Sequence, residues 1–238
     1  MKYLLVFLIC SITQVSFANY TEKIIDENDL VVVNADGSNL KPRLQKLIDA
    51  FGKLDMGCTA THIGSGYVLT AGHCFWAGDN VMENEPCEDT KIEWGFREGV
   101  KPYMVSQCQT IIAAQQDGVN DYALLKVSPA PDVAIAPDTE RRAIIGDTVT
   151  IFSHPEELPL RWSKLCGIER EQHPDLPAGA FHHKCDTNPG SSGATVLNFL
   201  TLKVVGIHDG GTSRAGGMNY GTYIMNSPLY EHLKKVGF

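Results

Sequence analysis

The stretch Thr59-Ala60-Thr61-His62-Ile63-Gly64-Ser65-Gly66-Tyr67-Val68-Leu69-Thr70-Ala71-Gly72-His73-Cys74 holds two short runs rich in β-branched residues. The runs, Thr59–Ile63 and Tyr67–Thr70, are parted by glycines and closed by a histidine. That pattern is strand, turn, strand. It recurs at Leu30–Val33, Ile92–Phe96, Met104–Ile112, Ala123–Val127, Thr148–Phe152, Ala194–Leu197, Lys203–His208 and Gly221–Ile224, with Gly, Pro, Asn and Asp between the runs and no internal sequence repeat. Many short strands with such turns predict an all-β sandwich or barrel architecture. The Pro-rich stretch from Ser128 through Asp138 has almost no periodic pattern and divides the strands into two halves of similar size. The C-terminus differs: Ser227 suits a helix cap and Pro228 its first turn, while Leu229, Tyr230, Leu233 and Val236 form one apolar face. Lys234 and Lys235 then sit at the negative end of the helix dipole.

Composition narrows the function classes. The chain has 238 residues, 20 Lys+Arg against 28 Asp+Glu, a net charge of −8 and 43% apolar residues. That apolar share is too high for a disordered chain of modest charge. The acidic balance, without a block of five basic residues, argues against nucleic acid as a partner. Lys2, the apolar run Tyr3–Cys10 and Ser16-Phe17-Ala18 have the order of a secretory signal, so cleavage after Ala18 and a secreted or periplasmic location are expected. No later run is long and apolar enough to span a membrane, and none is expected to hold the cleaved chain there. Cys10 leaves with the signal; Cys58, Cys74, Cys87, Cys108, Cys166 and Cys185 remain. An even count in an exported chain implies disulfides, with about fifteen pairings open. The spacing of His182, His183 and Cys185 fits no common zinc pattern, and no metal or cofactor is expected.

Three local sequences carry chemistry: Thr70-Ala71-Gly72-His73-Cys74, Asn120-Asp121-Tyr122-Ala123-Leu124-Leu125, and Asp186-Thr187-Asn188-Pro189-Gly190-Ser191-Ser192-Gly193. Singly they read as a structural histidine, a turn aspartate and a loop. Together they put His, Asp and Ser on separate strand ends. A serine hydroxyl is a poor nucleophile at neutral pH; a histidine takes its proton and returns it to the leaving group, and a buried aspartate fixes the histidine tautomer. Gly190, two residues before Ser192, lets its own N–H and that of Ser192 point together at a developing oxyanion. Asp117 and Asp121 compete for the acidic role. Asp117 precedes Gly118 and reads as a turn, whereas Asp121 enters a strand, so Asp121 is chosen. Ser191 is the rival nucleophile, but its spacing from Gly190 is wrong for an oxyanion hole.

These motifs resemble those of the chymotrypsin-like serine peptidases: T-A-G-H-C at 70–74, D-[IY]-A-L-L at 121–125 and G-x-S-G at 190–193. The resemblance runs from about Ile24 to the C-terminus. It looks closest to the bacterial glutamyl-endopeptidase-like branch, through Lys23-Ile24-Ile25 near the mature start, Asp186-Thr187 ahead of the serine and Val205-Gly206-Ile207-His208 after it. It implies two six-stranded antiparallel β-barrels with a C-terminal α-helix. The expected division is a signal peptide at 1–18, a short propeptide at 19–23, an N-terminal barrel at 24–127, a connector at 128–139 and a C-terminal barrel with the helix at 140–238. It also implies disulfides Cys58–Cys74 beside the histidine and Cys166–Cys185 ahead of the serine, which leaves Cys87 with Cys108.

The implied activity is a serine endopeptidase acting as a monomer on protein or peptide substrates. His73, Asp121 and Ser192 would be its triad, and Gly190 and Ser192 its oxyanion hole. Asp186, Thr187 and His208 are the expected substrate-binding residues, and they point two ways. A carboxylate at Asp186 suits an Arg or Lys side chain. Thr187 and His208 suit a Glu or Asp side chain, since both can donate hydrogen bonds to a carboxylate. Acidic specificity is favoured, although Asp209 directly after His208 places a negative charge near the expected pocket. A trypsin-type aspartate is replaced by Ser191, which cannot pair with a new N-terminal amine. The alternative from another class is a catalytically silent module that binds a protein partner through the same cleft. An α/β-hydrolase is disfavoured, because that fold runs serine, acid, histidine.

Overall fold

The computed structural model describes residues 23–87, 89–170, 180–212 and 217–238. The signal sequence and all but the last residue of the expected propeptide lie outside the described residues. The elements in chain order begin with β1 (Val31–Val32) and a short helix α1 (Pro42–Gln45). Seven strands follow: β2 (Phe51–Leu54), β3 (Thr59–Gly64), β4 (Tyr67–Thr70), β5 (Met82–Glu85), β6 (Lys91–Trp94), β7 (Met104–Gln116) and β8 (Asp121–Ser128). After the connector come β9 (Thr148–Ser153), β10 (Arg161–Trp162), β11 (Cys166–Arg170), β12 (Ala180–His183), β13 (Thr195–Asn198), β14 (Val204–Gly211), β15 (Asn219–Tyr223) and helix α2 (Pro228–Lys235).

The strands close into two rings. In the first, β7-β6-β2-β3-β4-β8 run in order and β8 returns to β7, with β5 added outside on β7. In the second, β9-β11-β12-β15-β14-β13 run in order and β13 returns to β9, with β10 and β1 added on the β9 edge. Each ring is a six-stranded antiparallel barrel, as the motifs implied, and the pairings within both are antiparallel. Alternating side chains fill each interior: Leu54, Val68, Ile92, Trp94 and Leu125 in the first, and Val149, Ile151, Phe181, Val196 and Tyr223 in the second. A third cluster lies between the barrels, where Phe51 of β2 stacks on Phe152 of β9 at 4.9 Å between ring centroids.

The chain ends cross between the barrels. β1 lies in the stretch expected in the N-terminal barrel but pairs with β10 of the second, Val31 opposite Trp162. Helix α2, expected with the C-terminal barrel, packs on β7 and β8 of the first. Leu229 and Leu233 of α2 are fully buried in the cluster between the barrels. Ser227 occupies the cap position, yet its hydroxyl donates to the Ile224 carbonyl at 2.9 Å and caps no helix N–H. The three disulfides are Cys58–Cys74, Cys87–Cys108 and Cys166–Cys185. Among the described residues no helix is long and apolar enough to cross a membrane.

Candidate active site

His73, Asp121 and Ser192 each stand where a strand meets a loop. His73 opens the 3-10 turn His73–Phe75 just past β4, and Cys58–Cys74 ties that turn to the start of β3. Asp121 is the first residue of β8, whose register with β4 sets Ala123 opposite Thr70. The carboxylate of Asp121 is committed to His73 at both oxygens. Oδ1 accepts the His73 backbone N–H at 2.9 Å, and Oδ2 lies 2.7 Å from the ring Nδ1. Asp121 is 7% exposed. A buried carboxylate on Nδ1 holds the proton there and leaves Nε2 to accept one.

Asp117 does different work. Its carboxylate accepts the backbone N–H groups of Val119 and Asn120 and the side-chain amides of Asn120 and Gln115, closing the turn before β8. Burial pushes its carboxyl up, but the bonds from Asn120 and Val119 outweigh that and hold it below the ordinary value.

The serine loop is fastened to the histidine's strand pair. The Ser192 carbonyl accepts the Thr59 N–H at 2.9 Å, and the Thr59 hydroxyl donates to the Gly190 carbonyl at 2.8 Å. Gly190 has φ +98°, and a Cβ there would lie 2.7 Å from the His154 carbonyl oxygen. The Pro189 carbonyl is held by the Glu156 N–H at 2.5 Å. Across a trans peptide the N–H points opposite to the C=O, so the Gly190 N–H faces away from Glu156. Ser191 is fully buried with its hydroxyl 3.0 Å from that of Ser153. Cys58, His73 and Cys74 have donor atoms close together, but the two sulfurs form a disulfide and offer no thiolate to a metal.

The expected substrate-binding residues divide. Asp186 is turned toward the N-terminal segment: Oδ1 accepts the Ile25 N–H at 2.7 Å and Oδ2 the Asp29 N–H at 2.5 Å. Burial raises its carboxyl above the ordinary value in spite of these two bonds. Both of its oxygens are engaged by backbone N–H groups of the N-terminal segment. Thr187 is fully buried, its N–H donates to the Lys23 carbonyl at 3.2 Å, and its hydroxyl has no hydrogen-bond partner among the described residues. His208 is buried with its Nδ1 3.1 Å from Nε2 of His183. Burial, and after it the neighbouring His208 and His182, hold His183 neutral, well below the usual histidine value. The sequence reading missed His183 as the partner of His208. The Asp209 carboxylate is bonded to Thr222 beside Asp121.

No curated protein sequence matches the chain. Among solved structures, a Glu endopeptidase in complex with MPD is 18% identical, covers 90% of this chain and 98% of its own, and has a TM-score of 0.61. An inactive serine-to-alanine form of Rv3671c from M. tuberculosis is 15% identical, with coverage of 87% and 97% and a TM-score of 0.60. At such identities the likeness is one of fold. Residues 58–207, well over half of the chain and including all three chemistry-bearing motifs, match the trypsin-like peptidase domain. The chain belongs to the trypsin-like peptidase domain family.

Proposed function

We propose that the protein is a secreted serine endopeptidase that cleaves after Glu or Asp. The observation that carries this reading is the double engagement of Asp121 with His73, at the backbone and at Nδ1, beside a Gly190-Ser191-Ser192-Gly193 loop fixed through Thr59. Ser192 attacks the scissile carbonyl while His73 takes its proton, and the Gly190 and Ser192 N–H groups receive the oxyanion. His73 then protonates the leaving amine, and water, activated by the same imidazole, hydrolyses the acyl-enzyme.

Specificity follows from what the pocket groups can still do. The Asp186 carboxylate is occupied by backbone, which disfavours a cationic side chain. The Thr187 hydroxyl is available as a donor, and His208 backed by neutral His183 offers an imidazole to a carboxylate. We also propose removal of residues 19–23. The Lys23 carbonyl is bonded to the Thr187 N–H, so a cut after Lys23 leaves the Ile24 amine close to Thr187.

A fluorophosphonate probe should label the exported protein at Ser192 and not label Ser192→Ala. Failure to label correctly processed protein would favour the silent binding module. Peptides that differ only in Glu or Arg before the scissile bond test specificity. Better cleavage of the Arg peptide, unchanged in His208→Ala, would defeat the acidic reading. N-terminal sequencing of the active species tests the propeptide, since full activity with Asn19 as first residue removes it.

A further inference from the structure

Asp209 lies where the ladder of β14 and β15 slips. His208 is opposite Gly221 and Gly210 opposite Tyr220, so consecutive residues of β15 face residues two apart on β14. Asp209 is the extra residue of a β-bulge, a device that re-aims a side chain. Here it aims a carboxyl group into the protein at 3% exposure. The Thr222 hydroxyl oxygen accepts the Asp121 backbone N–H at 2.8 Å and donates its proton to Asp209 Oδ2 at 2.8 Å. With Oδ2 of Asp209 as acceptor, the relay runs from the Asp121 N–H to Thr222 and from the Thr222 O–H to Asp209.

Asp209 Oδ1 is buried and has no hydrogen-bond partner among the described residues. A carboxylate there would hold a full charge in a dry site, beside a second carboxylate already committed to His73. Among the described residues, the charged and titratable groups around it are Asp121 on β8 with His73 beyond it, His208 adjacent in sequence, and His183 on β12, which burial keeps neutral. Among the described residues none of these is a Lys or Arg, which would supply the fixed positive charge that a buried carboxylate needs. We propose that Asp209 is a neutral carboxylic acid that positions the Asp121–His73 pair through Thr222. It adds a hydrogen-bond acceptor behind the pair without adding negative charge to it. Burial, and next the repulsion of Asp121, also push its carboxyl well above the ordinary value.

This inference rests on the triad reading, but its first test needs no activity. The side-chain carboxyl carbon of Asp209 and the ring protons of His73 are followed by NMR against pH, in wild type and Asp209→Asn. Asp209 should give the protonated chemical shift at pH 7 and titrate above it. The His73 midpoint in Asp209→Asn should stay within about 0.3 pH units of wild type, since one neutral group replaces another. An ionised Asp209 at pH 7, or a His73 midpoint lowered by about one unit or more, overturns the proposal. If labelling shows the protein to be inactive, these titrations still decide the charge of Asp209. In the active enzyme, Asp209→Ala should lower kcat roughly tenfold with little change in KM. Asp209→Asn should recover most of that loss, because its amide carbonyl can accept the Thr222 proton. Equal impairment of the two variants overturns the positioning role.

Discussion

At Gly193 the backbone has φ +84°, and a Cβ would lie 2.1 Å from the Thr70 hydroxyl oxygen and 2.5 Å from the Thr59 carbonyl oxygen. The Thr59 carbonyl, and the Ala71 nitrogen at 2.7 Å, are backbone and cannot turn away. Gly193→Ala should therefore cost about 3 kcal/mol of stability or more, read as a lower denaturant midpoint. Under the proposed mechanism, Gly190→Ala should cost less stability but lower kcat about 100-fold, because it disturbs an N–H that the mechanism assigns to the oxyanion. The two aspartates separate in the same way. Asp121→Asn should lower kcat by about four orders of magnitude through the wrong histidine tautomer. Asp117→Asn should leave kcat within about twofold and loosen only the turn before β8; the reverse result would move the triad acid to Asp117. The turn at Asp117 and the strand start at Asp121 were both legible in sequence because each is local, one before Gly118 and the other before Ala123. The role of Asp186 was not legible. Its partners, the N–H groups of Ile25 and Asp29, arrive from about 160 residues away, and nothing near residue 186 announces them.

Whole strands were lost to the reading wherever burial and letter type disagree. β12 is Ala-Phe-His-His, and both histidines are buried in the barrel wall, so a pattern that treats histidine as polar sees no strand. β5 is Met-Glu-Asn-Glu and is mostly exposed on the outside of the first barrel; only its pairing with β7 makes it a strand. β2 carries Gly52 and Lys53 in a run of four residues and falls below any strand signal. Strands with regular apolar runs were found close to their true bounds, and β4 matched at Tyr67–Thr70. At this scale the informative experiment concerns the N-terminal strap. Residues 24–29 are held to the second barrel by the Asp186 carboxylate, and β1 continues that attachment on β10. Asp186→Ala removes two charge-assisted bonds and leaves two N–H groups without their acceptor. It should lower stability by about 3 kcal/mol, and the Ile25 and Asp29 amides should exchange hydrogen much faster than the barrel strands. If those amides keep their protection, the carboxylate is not what holds the strap.

For the molecule as a whole, buried histidines set the response to acid. His154 is fully buried under the serine loop, with Nδ1 donating to the Leu158 carbonyl at 3.0 Å and its ring stacked on Phe96. Burial drives its pKa from 6.5 down to about 4; the Leu158 bond opposes that shift, and the charges of Lys53 and Arg161 add to it. His183 is lowered as well, by burial first. In the unfolded chain both histidines titrate near the ordinary value, so between 6.5 and about 4 the unfolded state binds more protons. Stability therefore rises with pH across that window and is lost as pH falls through it, by about 3 kcal/mol for His154 alone. Asp209 has the opposite sign. Its folded pKa is raised, so the stability it contributes is full below 3.8 and declines as pH rises toward the folded value. Denaturant midpoints measured from pH 4 to pH 8 should thus fall steeply on the acid side in wild type. His154→Gln keeps a donor for the Leu158 carbonyl but removes the titration, so its acid limb should be markedly shallower. Asp209→Asn should keep the steep acid limb and gain on wild type as pH rises. An acid limb in His154→Gln as steep as that of wild type would mean that the acid sensitivity of the fold comes from other groups.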